Sequence, residues 1–327
     1  MGETANIAEA AQRISKDIFK YFGWHMHPRR DVNFDCVNQE HQGSGGKPKS
    51  KHPTDAVFSY DDPYLGVRVH LLSDLKSYAA DTITHGKIRS ALKSLAMSVE
   101  CANVSEDWRT KFLVESETNE VRGLLFVHNH DKQYRKLFYD ELKKVHTNTL
   151  PIAPNTCLHY LGPDDIQRLY TTANDIIRLR AENELSENYT FYYPDLVLYR
   201  RQGDVWGQSA TIESICGPFL IIKDRNQGKS GFVVYYNRAG ATTDEFVYLL
   251  DCFSRYQMID SDESIRIRVV SREADGDLKS RFLSATMKYA KAWGFDPKRT
   301  EILEKIEIER VTAVTDNYDP GDLGWRT

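Results

Sequence analysis

The sequence predicts an α/β protein with two regions. Two observations carry that reading. Helical and strand periodicities alternate in the order α-β-β-β-α-β over residues 5–127, and strands and amphipathic helices recur after residue 186. The first region is placed at 1–185, a core domain with a helical extension. The second, a C-terminal α/β domain with an expected interaction or regulatory role, is placed at 186–327.

Each element has a local cause. Ile7, Ala10, Ala11, Ile14, Ile18 and Phe22 share one helical face, and Gly23 supplies a stop, so residues 5–22 are expected to be a helix. Val32–Val37 has short strand character. Residues 38–53 (NQEHQGSGGKPKSKHP) are polar, Gly-rich and basic, and read as a mobile loop. Residues 55–60 and 66–78 read as strands joined by a turn at Asp61-Asp62-Pro63. Ile88, Leu92, Leu95 and Val99 place a helix at 83–102, and Arg122–Val127 is a short buried strand. Residues 131–146 read as helical, 157–161 as a strand and 163–185 as a helix opened by Pro-Asp-Asp. The boundary is expected within 186–208, where turns at 186–188 and 202–204 flank an aromatic strand. Beyond it strands are expected at 218–223, 231–236, 265–271 and 305–311, with helices at 243–257 and 277–293. Phe246, Leu249, Leu250 and Phe253 form a core-type stripe, and the last ten residues read as a loose tail.

Composition narrows the class. Of 327 residues 41% are apolar and 11% aromatic, enough for a sizeable core. Forty-three Lys+Arg face 47 Asp+Glu, a formal net charge of −4, so any nucleic-acid contact must come from a local basic surface. No apolar run approaches the roughly 20 residues that cross a bilayer, and no signal peptide is read at the N-terminus. The five cysteines (Cys36, Cys101, Cys157, Cys216, Cys252) are widely spaced without CxxC, so buried free thiols in a reducing compartment are expected rather than a zinc ribbon. The expected address is the cytoplasm.

The chemistry concentrates between Pro53 and Lys76. Asp55 opens one strand; Asp74 and Lys76, two apart, share a face near the end of the next. Antiparallel pairing brings the acids to one sheet edge. Two carboxylates and an ammonium there suit phosphodiester hydrolysis with Mg²⁺, a hard ion that takes oxygen ligands. A lysine beside the metal can orient or deprotonate water and balance transition-state charge.

Pro53-x-Asp55 followed by Asp74-x-Lys76, within an α-β-β-β-α-β order, resembles the PD-(D/E)xK nuclease superfamily, the restriction-endonuclease-like fold. The resemblance covers the region up to about residue 130. It implies Asp55, Asp74 and the Leu75 backbone carbonyl as ligands of Mg²⁺, with Mn²⁺ as substitute, and Lys76 as catalytic lysine. Some members carry a glutamate on the first helix, and Glu9 occupies the matching position. The implied function is DNA cleavage in restriction or anti-phage defence, with a protein partner subunit or a homodimer and no membrane. Two alternatives stay open: an RNA or tRNA nuclease of the same core, and a non-catalytic nucleic-acid-binding or assembly subunit.

Other motifs carry plainer readings. Lys47, Lys49 and Lys51, with Arg29 and Arg30, flank the site and are expected to contact phosphate, against the alternative of a solvated loop. His128-Asn129-His130 cannot supply the dispersed residues of an HNH nuclease, and is expected near the site edge. His25-x-His27 is read as a turn. Ser77 and Tyr78 are read mainly as strand packing.

Overall fold

The computed structural model describes residues 2–43, 45–113, 118–194, 207–226, 229–259, 263–294 and 296–321. The chain forms two compact units, one of residues 1–170 with 315–327 and one of residues 171–314.

The first unit starts with α1 (Gly2–Asp17). The expected 5–22 helix breaks at Ile18 into a 3-10 turn, Phe19–Phe22, which Gly23 closes at φ 76°. The strands are β1 (His25–Met26), β2 (Phe34–Asp35), β3 (Lys51–His52), β4 (Ala56–Asp62) and β5 (Val67–Tyr78). Helices α2 (His85–Val104) and α3 (Glu106–Phe112) follow, then β6 (Asn119–Asn129), α4 (Phe138–Leu142) and β7 (Leu158–Leu161); α5 (Pro163–Ala181) begins in this unit and from Thr171 onward belongs to the second. One sheet has the order β1-β4-β5-β6-β7, with β4 antiparallel to β1 and β5, and β6 and β7 continuing parallel to β5. The β4–β5 turn lies later than expected. Strand β4 runs through Asp62, whose Oδ1 accepts from the Tyr64 and Leu65 N–H groups, and Gly66 turns at φ 65°.

The two faces of this sheet differ. Leu72, Leu125 and Val127 pack with Ile88, Leu92, Leu95 and Val99 of α2. Gly123 permits that approach: a Cβ there would lie 2.6 Å from Leu158 and 2.9 Å from Val99. On the other face Phe19, which follows α1, packs against Phe58 and Phe126.

Three expectations are corrected in this unit. Residues 131–146 form no continuous helix. Asn129 Oδ1 takes the Tyr134 N–H and Asp131 Oδ1 takes the Gln133 N–H, side-chain bonds that compete with helical ones. Only Phe138–Leu142 is α-helical there. Residues 38–53 are not a free loop. Strand β3 pairs with β2, the Cys36 N–H reaches the Ser50 carbonyl, and the Lys49 N–H reaches the His41 carbonyl. The tail is docked as far as it is described. Gln167 Nε2 donates to the Thr315 carbonyl at 2.7 Å, the Tyr318 ring stacks on Tyr170, and the Tyr318 hydroxyl donates to Asp17 Oδ2.

The second unit contains β8 (Thr190–Phe191), β9 (Phe219–Asn226), β10 (Lys229–Tyr236), β11 (Ser264–Val269) and β12 (Glu307–Arg310). They form a sheet in the order β12-β11-β10-β9-β8, parallel from β10 to β12 and antiparallel at β9 and β8. The expected helices appear as Thr243–Arg255 and Leu278–Ala292, and a further one spans Pro297–Glu304. Phe246, Leu249, Leu250 and Phe253 are buried in the core, as their spacing predicts. The aromatic strand expected within 186–208 is β8, and the 202–204 turn lies outside the described residues. Asp175, Tyr235 and Arg268 form a buried polar group here. Arg268 donates to Asp175 Oδ2 at 2.9 Å and Oδ1 at 2.6 Å, and the Tyr235 hydroxyl donates to Oδ2 at 3.1 Å.

Candidate active site

Strand register brings the two acids together. Ala56 pairs with Ser73 across the β4–β5 ladder, so Asp55, one residue earlier, lies opposite Asp74 on the same face. The Asp55 backbone is tied down as well, its carbonyl accepting the Asp31 N–H at 2.9 Å. Its side chain is held by the Leu75 N–H, which donates to Asp55 Oδ2 at 2.7 Å. In an extended strand a residue's N–H and C=O project toward the same edge, so the Leu75 carbonyl lies on the Asp55 side. Lys76 Nζ stands 2.5 Å from Asp74 Oδ1, with the two side chains 34% and 17% exposed. That exposure leaves the cluster half-sheltered and still open to a ligand.

The electrostatics mark a site where negative charge is crowded. Burial, together with the Asp74 charge, pushes the Asp55 carboxyl up to about 6, against the pull of the Leu75 N–H and the Lys76 ammonium. Burial works against charged Lys76, yet Asp74 and Asp55 outweigh it and raise the ammonium. The oxygen-only donors, two adjacent carboxylates whose joint ionisation is disfavoured, fit a hard divalent cation.

This crowding predicts a stability trade. A raised carboxyl stabilises the fold below its unfolded value, near 3.9, and that contribution is lost as pH rises through about 6. Asp55→Asn removes the ionisable group and keeps an oxygen for the Leu75 N–H. In EDTA at pH 7 the variant is expected to gain about 1–2 kcal/mol, the raised carboxyl's cost reduced by solvent screening at a partly exposed site. The gain vanishes below about pH 3, where Asp55 is protonated in both states. Urea titrations at the two pH values check this.

The other expected site residues are distributed as follows. Glu9 is exposed and pairs with Arg13 Nη2 at 3.1 Å. Among the described residues no third His, Cys, Asp or Glu joins Asp55 and Asp74. Arg30 donates back to α1, at the Ala8 carbonyl and Gln12 Oε1, while Arg29 is exposed. Lys47 is exposed, and Lys51 pairs with Asp35 at 3.2 Å. Lys49 alone of the loop lysines turns inward, with Nζ 3.5 Å from Ser94 Oγ on α2. Burial lowers its ammonium, while Cys36, Asp74 and Cys101 pull the other way, so Lys49 lies within the field of the acids. Tyr78 shares the face of Asp74 and Lys76, and burial raises its hydroxyl.

The remaining motifs lie apart from the acids. His128 pairs in register with Ser77, which places it on the opposite face of the sheet. It is buried there, with Nε2 3.5 Å from Asp319 Oδ1. His130 Nδ1 contacts Ser77 Oγ at 3.0 Å. His25 and Met26 are strand, and the His27 ring packs on Phe112.

Sequence reading missed that Cys36, His41, His52 and Cys101 converge. The signal was present in part: a cysteine and two histidines within one 17-residue polar stretch, residues 36–52.

A mixed five-stranded sheet flanked by helices, with paired acids and a lysine at adjoining strand ends, defines the N-terminal half as a PD-(D/E)xK nuclease domain. Residues 1–165 match the GAPS4 protein PD-(D/E)XK nuclease domain, and the chain belongs to that family; GAPS4 is an anti-phage defence protein. No curated protein and no solved structure matches the chain.

Proposed function

We propose that the chain is a Mg²⁺-dependent endonuclease that cuts DNA in anti-phage defence. The observation that carries the reading is the shared face of Asp55, Asp74 and Lys76. Asp55, Asp74 and the Leu75 carbonyl would hold Mg²⁺ or Mn²⁺, which when bound supplies phosphoryl polarisation and a more acidic water. The protein groups do the rest. Asp55, one of whose oxygens is held by the Leu75 N–H, and Asp74 present their carboxylates on one face of the sheet, where they would bind the ion. Lys76 orients the attacking water and offsets the charge that gathers on the phosphoryl oxygens. Lys49 contributes a second positive charge from the neighbouring hairpin.

The direct test is cleavage of plasmid DNA and of RNA with Mg²⁺, with Mn²⁺ and with EDTA. Metal-dependent nicking or linearisation of DNA is expected. Full cleavage in EDTA would refute the metal-dependent reading; cleavage of RNA alone would move the substrate to the other nucleic acid.

Lys49 separates a phosphate track from a solvated loop. Lys49→Ala is expected to weaken duplex binding and to flatten the log K against log[salt] slope by about 0.9, the loss of one phosphate contact. Lys51→Ala is expected to change the slope less, because Asp35 already neutralises Lys51. Titrations of both variants at several salt concentrations check this, and equal slopes for wild type and Lys49→Ala would remove Lys49 from the track.

A further inference from the structure

We propose that Cys36, His41, His52 and Cys101 form a structural zinc site that fastens the 36–52 hairpin to helix α2. Their ligand atoms lie within 4.8 Å of one another. Individual separations are tighter. Cys36 Sγ and Cys101 Sγ are 3.7 Å apart, and His41 Nδ1 is 3.5 Å from the first and 3.4 Å from the second. His41 Nδ1 and His52 Nε2 are 3.4 Å apart.

Four of the six separations match the edges of a tetrahedron around one ion, and the other two, from His52 to each thiol, lie within 4.8 Å. Zn–S bonds of about 2.3 Å and Zn–N bonds of 2.0–2.1 Å give tetrahedral edges of about 3.8 Å for S–S, 3.6 Å for S–N and 3.3–3.4 Å for N–N. Two thiolates and two imidazoles in tetrahedral array select zinc over the oxygen-seeking Mg²⁺ and Ca²⁺. All four positions are filled by protein groups, which is the closed arrangement of a structural rather than a catalytic zinc.

The surroundings support the ligand set. Each imidazole has a partner on its other nitrogen: His41 Nε2 lies 3.3 Å from Glu100 Oε2, and His52 Nδ1 lies 3.2 Å from Ser98 Oγ. Such partners fix ring orientation at metal sites. His52 and Cys101 are fully buried, His41 is 6% exposed, and the Val37 and Asn38 N–H groups point at Cys101 Sγ. Three ligands come from the hairpin and Cys101 comes from α2, so one ion closes a loop of 65 residues. The fastened hairpin carries Lys49, which reaches Ser94 on the same helix.

The site does not depend on the nuclease reading, and its test keeps the two apart. The full chain, purified without chelator from zinc-sufficient medium, is expected to contain one zinc by elemental analysis. After exchange, cobalt is expected to show the visible bands of a tetrahedral ion with thiolate-to-cobalt charge transfer, which oxygen ligands cannot give. Cys36→Ser, at the partly exposed corner, is expected to lose that charge-transfer intensity and to bind zinc at least tenfold more weakly. Cys157→Ser, whose thiol pairs with His159, and Asp74→Ala are expected to keep both zinc and spectrum. A native chain that holds no zinc and takes up none in titration would overturn the proposal, as would a Cys36–Cys101 disulfide in the native protein. Unchanged cobalt spectra in Cys36→Ser would overturn the ligand set.

Discussion

Asp74→Ala is expected to abolish divalent-metal-dependent cleavage, by about 10³-fold or more, while the chain still folds. The magnitude follows from losing a proposed metal ligand, whose ion would supply several kcal/mol of transition-state stabilisation, at 1.36 kcal/mol per tenfold. Folding persists because Asp74 sits in a like-charge pair with Asp55, and Lys76 passes to the remaining acid. The carboxyl of Asp55 then returns toward its ordinary range, since one of its two main perturbers is gone. Lys76→Ala is expected to be comparably inactive but to retain metal binding, because the acids remain. Single-turnover cleavage, with metal binding measured calorimetrically, separates the two variants. Wild-type rates in a folded Asp74→Ala protein would end the assignment.

Arg268→Ala is expected to be the most damaging single change in the second unit. Asp175 is 4% exposed and Arg268 8%, and their two-bond contact is completed by the Tyr235 hydroxyl. Truncating the guanidinium leaves the buried carboxylate with only the more exposed Arg178, 3.1 Å from Oδ1, as counter-charge, which costs about 3 kcal/mol, the low end for a broken buried pair. At roughly 2–4 °C per kcal/mol for a unit of this size, the melting temperature of that transition should fall by about 10 °C. Replacing both partners, as Asp175→Leu with Arg268→Met, is expected to recover much of the loss, because no charge is then stranded. Differential scanning calorimetry of the single and double variants checks the pair.

The sequence made the hairpin of acids legible because its signals are local. Antiparallel pairing of β4 with β5 sets the faces, and a short connection sets the register that puts Asp55 beside Asp74. Parallel β6 was visible as an uninterrupted apolar run, as expected for a strand covered on both faces. What escaped reading was nonlocal. Cys101 meets Cys36 only because α2 lies across the sheet, so the thiols looked unrelated along the chain. Glu9 shares a helix turn with Arg13, which takes its carboxylate, and Phe19, just beyond that helix, packs on the face opposite the acids. Residues 131–146 carried helical composition, but the Asn129 and Asp131 side chains claim the backbone donors first.

The return of residues 315–321 to the first unit sets an order of events during synthesis. Strands β4, β5 and β6 have emerged from the ribosome long before Asp319 is available to His128 or Tyr318 to Tyr170 and Asp17. About 150 residues separate Tyr170 from Asp319, on the order of 7–30 s of translation at 5–20 residues per second. During that interval His128 lacks its carboxylate and the Tyr170 ring lacks its stacking partner. The first unit therefore gains its 315–321 segment only after the whole of the second, residues 171–314, has been synthesised.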